Sequence, residues 1–419
     1  MSLLPRILAA ADEVSSPDLR SYREAPALLP ELRRWAPDRL IDEIERSGLR
    51  GRGGAAFPVA RKMRAVAARR GPTVLVGNGT EGEPASGKDR LLLTELPHLV
   101  LDGAAVAARA VGADTAIIAF ARSDEVIARR LRRAADERRR SRPGEEPRYE
   151  LRAIDDGFVS GQESALVNSL SGVDPKPAFR ARPFERGVRR RPTLVQNVET
   201  LAHLALIVRH GAGWYRQAGT AADPGSTLVT LSGAVASPGV FEIEHGAPLA
   251  DLLYNAGQTE ELSAVLIGGY FGSWLSARVI PQLRLSPTQL TEHGLGLGAG
   301  AIVALGRSAC PVAETSRVAE YFAAETAGQC GPCVNGLAAI AATMRQIASG
   351  TAPPAARPNL ERWSRSLAGR GACQFPDGAT RFVASALRVF ADVFEDHIRH
   401  GPCAGCSAPA VLPIPAATA

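Results

Sequence analysis

Between residues 73 and 154 the chain alternates between short apolar runs and longer helical stretches, and this alternation constrains the fold more than any other feature. "TVLVGN" (73–78), "TAIIAFA" (115–121) and "YELRAI" (149–154) read as strands. "HLVLDGAAVAARAVGA" (98–113) and the amphipathic "DEVIARRLRRAADERRR" (124–140) read as the helices between them. Strands joined through helices form a mostly parallel sheet with helices packed on it. Ligands of such sheets bind at the loops leaving the carboxyl ends of the strands.

Near "TAADPGST" (220–227) the texture changes. "STLVTLSGAV", "GVFEIE" and "AVLIGG" are short β-type runs punctuated by Gly and Pro, with "APLADLLYNAG" as one helix among them, which predicts a small α+β unit. From about residue 310 the pattern is helical again. Val383, Leu387, Phe390 and Phe394 recur at helical spacing and predict one apolar stripe. The tail "CSAPAVLPIPAATA" has no periodicity and is expected to be flexible. The expected division is a helical lead-in at 1–45, an α/β domain at 46–219, a β-rich domain at 220–307, a helical domain at 308–400 and a tail at 401–419.

No run of about 18 apolar residues appears, so no membrane span is expected. The start, "MSLLPRILAAADEVSS", is too short and too soon charged for a secretory signal. Six cysteines in 419 residues make no disulfide framework, and Cys330/Cys333 and Cys403/Cys406 are spaced for metal or redox work, which places the chain in a reducing cytoplasm. The net charge of +6 comes with arginine-rich runs at 128–142 and 180–192. The first reads as a solvated helix face, interrupted by Asp136 and Glu137. Few aromatics interleave with the arginines, so nucleic acid is not an expected partner.

Four loops carry the chemistry. "SGLRGRGGAAFPVARKM" (47–63) interleaves glycines with arginines, and successive amides of such a loop can cradle a phosphate, although a plain turn reads equally well. "GNGTEGEPASGKDRLLL" (77–93) places Glu81 and Glu83 close together, followed by Lys88, Asp89 and Arg90. Paired carboxylates do not hold phosphate; they suit the hydroxyls of a ribityl or ribose chain, or base amides. "FVSGQESALVNSL" (158–170) carries Glu163 at a strand-to-helix turn, and "PTLVQNVETLAHL" (192–204) offers the Gln196 and Asn197 amides beside a helix start.

With these segments in this order, and a C-x-x-C after them, the chain resembles the FMN- and NADH-binding (51 kDa, F-type) subunit of respiratory complex I. The diaphorase subunits of NAD-linked hydrogenases and formate dehydrogenases share the pattern. The likeness covers about residues 40–400, and "LSGAVASPGVFEIEHGAPLADLL" is similar to that family's ubiquitin-like β-grasp (SLBB) module. The resemblance implies a Rossmann-like FMN/NADH domain, the SLBB domain and a C-terminal helical bundle. It implies an FMN site at Gly51, Arg52, Gly53, Gly54, Lys62, Asn78, Thr80, Glu81 and Asn197, and an NADH site at Phe57, Glu83 and Glu163. Arg182 and Phe184 are weaker NADH candidates. Thr80 stands where the family has Asp, Ala56 replaces a glycine, and Lys62-Met63 replaces Lys-Trp.

The implied activity is NADH:acceptor oxidoreduction. NADH delivers two electrons at once, an iron–sulfur centre accepts one, and a flavin converts between them. The alternatives are a flavoprotein with a different donor and a scaffold that has lost its cofactor. The expected partners are a thioredoxin-like iron–sulfur subunit or a ferredoxin, and other subunits of an oxidoreductase complex that is peripheral to the membrane at most.

"AETAGQCGPCVNG" poses the remaining question. Cys330 and Cys333 read as part of an iron–sulfur site, as a redox dithiol or as leftover thiols. The family's run is S-C-G-x-C-x-x-C with a distant fourth Cys, and the four hold one [4Fe–4S] cluster. Cys373 in "RGACQFPDG" matches the distant ligand, and Ala327 stands where another thiol belongs. The resemblance thus implies three protein ligands, Cys330, Cys333 and Cys373, with Cys403 or Cys406 as a possible fourth.

Overall fold

The computed structural model describes residues 4, 6–9, 17–24, 32–141, 146–179 and 182–415. Of the expected N-terminal lead-in, residues 1–3, 5, 10–16 and 25–31 lie outside them.

In chain order, helices α1 (Pro37–Ser47) and α2 (Val59–Ala67) precede β1 (Thr73–Gly79). Then follow α3 (Lys88–Glu95), α4 (Pro97–Val111), β2 (Ala113–Ala121), α5 (Glu125–Ser141), β3 (Arg148–Ile154) and α6 (Glu163–Leu170). β4 (Thr193–Asn197) leads directly into α7 (Val198–His210). The sheet order is β3-β2-β1-β4, and every pairing is parallel. The sequence marks β4 only as a helix start, because its five residues continue into the helix without a turn signal. Alternate residues of these strands enter two cores. Leu75, Ile118 and Leu194 pack on one face, and Val76, Ile117 and Val195 on the other. That two-sided burial is why the strands read as continuous apolar runs.

The chain proceeds β1, β2, β3 to one side and then returns to place β4 on the other side of β1. The reversal opens a crevice at the carboxyl ends of β1 and β4. Asn78 and Asn197 are register partners there.

The arginine run on α5 is mostly solvated, as expected, but Arg138 is buried between Asp102 at 2.6 Å and Glu146 at 2.7 Å. Among the described residues no single helix is long and apolar enough to cross a membrane; α3 and α4 form an apolar pair bent by 97°, and α4 is buried along nearly its whole length.

A second sheet follows: β5 (Ser226–Gly233), β6 (Gly239–Glu244), β7 (Leu262–Ile267), β8 (Ser273–Ser276) and β9 (Ala301–Gly306), in the order β6-β5-β9-β7-β8. Helix α8 (Leu249–Asn255) packs on one face with Val265, Ile267 and Ile302. The opposite face, Leu266, Trp274, Val303 and Leu305, packs on the C-terminal helices. Those are α9 (Pro311–Ala324), α10 (Ala338–Ala348), α11 (Ala356–Leu367), α12 (Phe375–Val389) and α13 (Ala391–His400). The stripe from Val383 to Phe394 is buried throughout, but it belongs to two helices, α12 and α13, divided at Phe390.

The tail departs from expectation. Residues 401–415 pack back on the helices, with Leu412 fully buried. The Val411 and Leu412 amides donate to the Glu314 carboxylate at 3.0 and 2.8 Å, Arg317 donates to the Leu412 carbonyl at 2.9 Å, and the Tyr270 hydroxyl donates to that of Pro413. Backbone groups that find fixed partners order a segment that has no periodicity of its own.

Candidate functional site

The crevice at the ends of β1 and β4 gathers the expected loops. The loop 50–58 lies over the start of α7: a Cβ on Gly53 would sit 3.5 Å from Cβ of Asn197. The Gly51 amide donates to the Phe57 carbonyl at 2.9 Å, and the Arg52 amide to Thr200 Oγ1 at 2.9 Å. Among the described residues nothing accepts from the amides of Gly53 and Gly54. Two unspent amides beside a helix N-terminus fit the phosphate of a flavin nucleotide. Gly54 has φ +101° and Ala56 φ +48°, so the loop holds positive φ even where Ala replaces the expected glycine.

Several implied ligand contacts are instead spent inside the protein. The Arg52 guanidinium is buried and donates to the Tyr215 hydroxyl at 3.0 Å and the Ser226 carbonyl at 2.9 Å. Arg52 therefore anchors the loop from below, and neither its side chain nor its amide is left to the crevice. Glu81 turns away as well. Its carboxylate accepts from the Asp89 and Arg90 amides at 2.9 and 2.8 Å and from Ser86 Oγ at 2.7 Å, capping the N-terminus of α3. Thr80 Oγ1 donates to Asn78 Oδ1 at 2.9 Å, and Asn78 Nδ2 donates to the Gly161 carbonyl at 2.8 Å. A Cβ on Gly161 would lie 2.6 Å from Thr80 Oγ1, so the loop 157–162 is pressed against the end of β1.

The Asn197 side chain is equally committed. It donates to Asp89 Oδ2 at 2.6 Å and accepts from Lys88 Nζ and the Glu199 amide, each at 3.0 Å. Beneath it Lys88, Asp89, Glu199 and Arg52 form a buried set of two cations and two anions. Lys88 lies 2.6 Å from Asp89 and 3.0 Å from Glu199, and Arg52 3.7 Å from Glu199. Burial works against the Lys88 ammonium, but Asp89 and Glu199 more than reverse this and keep it charged.

At the mouth, Lys62 on α2 is ion-paired with Glu163 at the start of α6, and both side chains remain partly exposed. Phe57 is 46% exposed, with the Arg61 guanidinium 5.5 Å from its ring centroid. Glu83 is buried. It accepts from the Tyr270 amide at 2.8 Å and the Ala85 amide at 3.2 Å, which ties the first sheet's loop to the turn after β7. Phe184 is half-buried under Arg69, and Arg182 is exposed beside Glu185.

Burial pushes the Glu83 carboxyl up to about 7 from 4.5, although the Tyr270 and Ala85 amides pull the other way. A carboxyl raised in the folded state adds stability below its unfolded value and loses it as pH climbs through the folded one. A gap of that size is worth roughly 3 kcal/mol. The thermal midpoint of the native protein should therefore fall relative to Glu83→Gln between about pH 5 and 8. A difference that does not change with pH would mean that the carboxylate is ionised throughout.

Beyond Gly161 an aromatic cluster leads towards the helical end. Phe158 is 4.6 Å from Phe271, 5.8 Å from Phe322 and 5.5 Å from Phe375, centroid to centroid. Its amide donates to Glu325 at 2.8 Å. Cys373 lies two residues before Phe375, and Cys330 and Cys333 flank the start of the Pro332–Leu337 turn that opens into α10. Burial pushes the Cys333 thiol up to about 12, with Cys330 and Cys373 adding to the effect. These three sulfurs do not converge tightly enough to hold one ion. Three spread thiols fit a multi-iron cluster, and Ala327 contributes no ligand.

Cys403 and Cys406 do not supply the fourth. They gather with Cys310 and His397, all four ligand atoms lying within 4.8 Å of one another. Sequence reasoning missed Cys310 and His397, and also Phe158, Gly161 and Gln162, whose side chain caps α6. The H-x5-C-x2-C spacing of His397, Cys403 and Cys406 was the available signal for His397, and Cys310 had none.

A parallel sheet with a phosphate-type loop at its switch point, joined through aromatics to a thiol-bearing helical end, defines a flavin-type electron-transfer protein. Three family models match in the same places: the Nuo51 FMN-binding domain at 44–206, the SLBB domain at 228–259 and the NADH-ubiquinone oxidoreductase-F iron-sulfur binding region at 313–397. An F-type NADH-quinone oxidoreductase subunit of Rhizobium meliloti (strain 1021) is 33% identical over 396 residues, covering 90% of this chain and 93% of its own. The mitochondrial NADH dehydrogenase [ubiquinone] flavoprotein 1 of Dictyostelium discoideum is 30% identical over 379 residues, 86% of this chain and 79% of its own. A chain of the NAD+-reducing [NiFe]-hydrogenase in the air-oxidized state superposes with a TM-score of 0.85 at 30% identity, over 94% of this chain and 67% of that one. The chain belongs to the family of F-type NADH-quinone oxidoreductase subunits.

Proposed function

We propose that this chain is the NADH-oxidising flavoprotein of a multi-subunit oxidoreductase. The observation that carries the reading is the meeting of four loops at the β1/β4 crevice, with the Gly53 and Gly54 amides unspent. FMN, when bound, accepts hydride from NADH and releases electrons singly. The chain's own residues bind and orient. The Gly53 and Gly54 amides would donate to the phosphate, with Gly51 and Arg52 shaping the loop. Asn78, Thr80, Glu81 and Asn197 position its surroundings through the bonds described above. Lys62 and Glu163 at the mouth would meet the flavin ring and nicotinamide, the exposed Phe57 would offer an aromatic face to the adenine, and Glu83 buttresses the pocket wall.

Cys330, Cys333 and Cys373 would hold the iron–sulfur centre that receives the electrons. The aromatic cluster from Phe158 to Phe375 fills the space on that side and excludes water from it. Val334, half-exposed beside Cys333, marks the face towards a partner, a thioredoxin-like iron–sulfur subunit or a ferredoxin. The domain division stated from the sequence accompanies this reading, as does a cytoplasmic location with membrane association only through the complex.

The visible spectrum of anaerobically purified protein tests it. Flavin bands that NADH bleaches are expected. No flavin after reconstitution would refute the proposal. Flavin that dithionite bleaches and NADH does not would favour a different donor, a second reading supported by Glu83, whose carboxylate already serves Tyr270 and Ala85. Glu163→Gln should raise the NADH KM by roughly tenfold or less, the scale of one hydrogen bond to a partly exposed charged group, with flavin content unchanged. Loss of flavin with an unchanged KM would reverse the assignment.

A further inference from the structure

Four side chains from three separate parts of the chain meet at the base of the helical end, away from the flavin crevice and the Cys330 group. Cys310 is the buried N-cap of α9, His397 lies buried in the last turn of α13, and in the tail Cys403 caps the single turn Ala404–Ser407 that carries Cys406. Cys310 Sγ and His397 Nε2 are 3.5 Å apart, Cys406 Sγ and His397 Nε2 3.9 Å, and Cys403 Sγ and Cys406 Sγ 3.8 Å. No pair is at bonding distance, and all six cysteines are free.

These separations are the edges of a tetrahedron around one ion. With Zn–S near 2.3 Å and Zn–N near 2.0–2.1 Å, tetrahedral angles place two sulfurs about 3.8 Å apart and a sulfur and nitrogen about 3.5 Å apart. A two-iron cluster would distribute its ligand atoms over two metal ions and could not keep all four within the observed 4.8 Å. The donor set, three thiolates and one imidazole, is that of closed structural zinc sites. Nε2 of His397 faces the sulfurs; Nδ1 is buried without a hydrogen bond, with the backbone of Ile347 bearing on the ring.

The backbone around the group is built for this approach. A Cβ on Gly405, between the two tail cysteines, would sit 3.0 Å from the Ser308 carbonyl and 3.1 Å from the Cys310 amide. A side chain there would force the tail turn or the segment carrying Cys310 to give by a few tenths of an ångström. Beyond the turn, the tail continues to Glu314, Arg317 and Tyr270. Tyr270 in turn donates its amide to Glu83 at the pocket wall.

We propose that Cys310, His397, Cys403 and Cys406 bind one structural Zn2+ that clips the tail to the helical domain. The site offers no open coordination position, so its role is to fasten 401–415 against α9 and, through Tyr270, to hold the turn that meets Glu83. It is independent of the iron–sulfur site, whose ligands it does not share.

Elemental analysis of the full chain, purified without chelator from zinc-replete medium, provides the test. About one zinc per chain is expected. The double variant Cys403→Ser, Cys406→Ser alters an exposed and a half-buried residue, and should lose zinc at least about tenfold while flavin content and iron uptake at Cys330, Cys333 and Cys373 persist. Its tail, which has no Lys or Arg, should be cut by proteinase K faster than that of the native protein. Wild-type protein exchanged into Co2+ should give the intense visible bands of tetrahedral cobalt thiolate, a readout that needs no variant. Three results would each overturn the proposal: no zinc in the native protein and no tetrahedral cobalt spectrum, zinc unchanged in the double variant, or iron in place of zinc that the double variant removes.

Discussion

Valine at position 54 is expected to yield a folded protein that purifies without flavin. Gly54 has φ +101°, and a Cβ there would meet only the Gly298 backbone, at 3.8 Å. Collision with the protein is therefore not the cause. A β-branched residue is strained at that φ and relaxes by turning the peptide, which re-aims the Gly53 and Gly54 amides. Losing two charge-assisted hydrogen bonds of roughly 1.5–3 kcal/mol each lowers flavin affinity by at least about a hundredfold. Gly71 is the control. Its φ is +96° with open space around it, on a turn before β1, so Gly71→Val carries similar strain with the flavin retained. The flavin-to-protein absorbance ratio of the two variants decides it. Stoichiometric flavin in folded Gly54→Val would refute the phosphate assignment.

Glu199→Gln is expected to be the most destabilising conservative change in the molecule. Burial alone would raise this carboxyl; Lys88, His203 and Arg52 outweigh it and hold Glu199 well below the usual carboxylate range. A carboxyl lowered in the folded state contributes stability above its unfolded value and loses it as pH falls through the folded one. Glu199 therefore stays ionised across neutral pH, while burial pushes the Asp89 carboxyl up to about 7 against the pull of Lys88. Removing one member leaves the Lys88 and Arg52 charges buried against Asp89 alone, at about 3–5 kcal/mol. Glu199 Oε1 also accepts from the Leu228 amide and Thr227 Oγ1, both at 2.9 Å, so the loss reaches β5 and the second sheet. Denaturant titration at pH 7 measures it. A loss below about 1 kcal/mol, the scale of a surface pair, would show that the four charges are not mutually dependent.

The local pattern of residues was enough to place β1, β2, β3 and the helices between them, because apolar runs and helical stripes encode the backbone state of their own segment. The same holds for the loops: glycines at 51–54 and the polar residues after β1 mark where the chain must turn and what it can offer there. The order of these segments carried the family likeness without any knowledge of contacts. What the sequence left open is which atom each side chain meets. Glu81 and Glu83 stand two residues apart with the same chemistry, yet one caps α3 and the other meets Tyr270, 187 residues away. The Asn197 amide, legible as a donor near a helix start, is used up by Lys88 and Asp89. The tail, without a period of its own, is ordered by partners on α9 and the turn after β7. Cys310 and His397 lie 87 residues apart, and nothing in either neighbourhood states that they meet. Residue pattern determined the elements because their energetics are local; tertiary packing decided the partners of the buried polar groups, because burial favours a partner wherever the fold brings one.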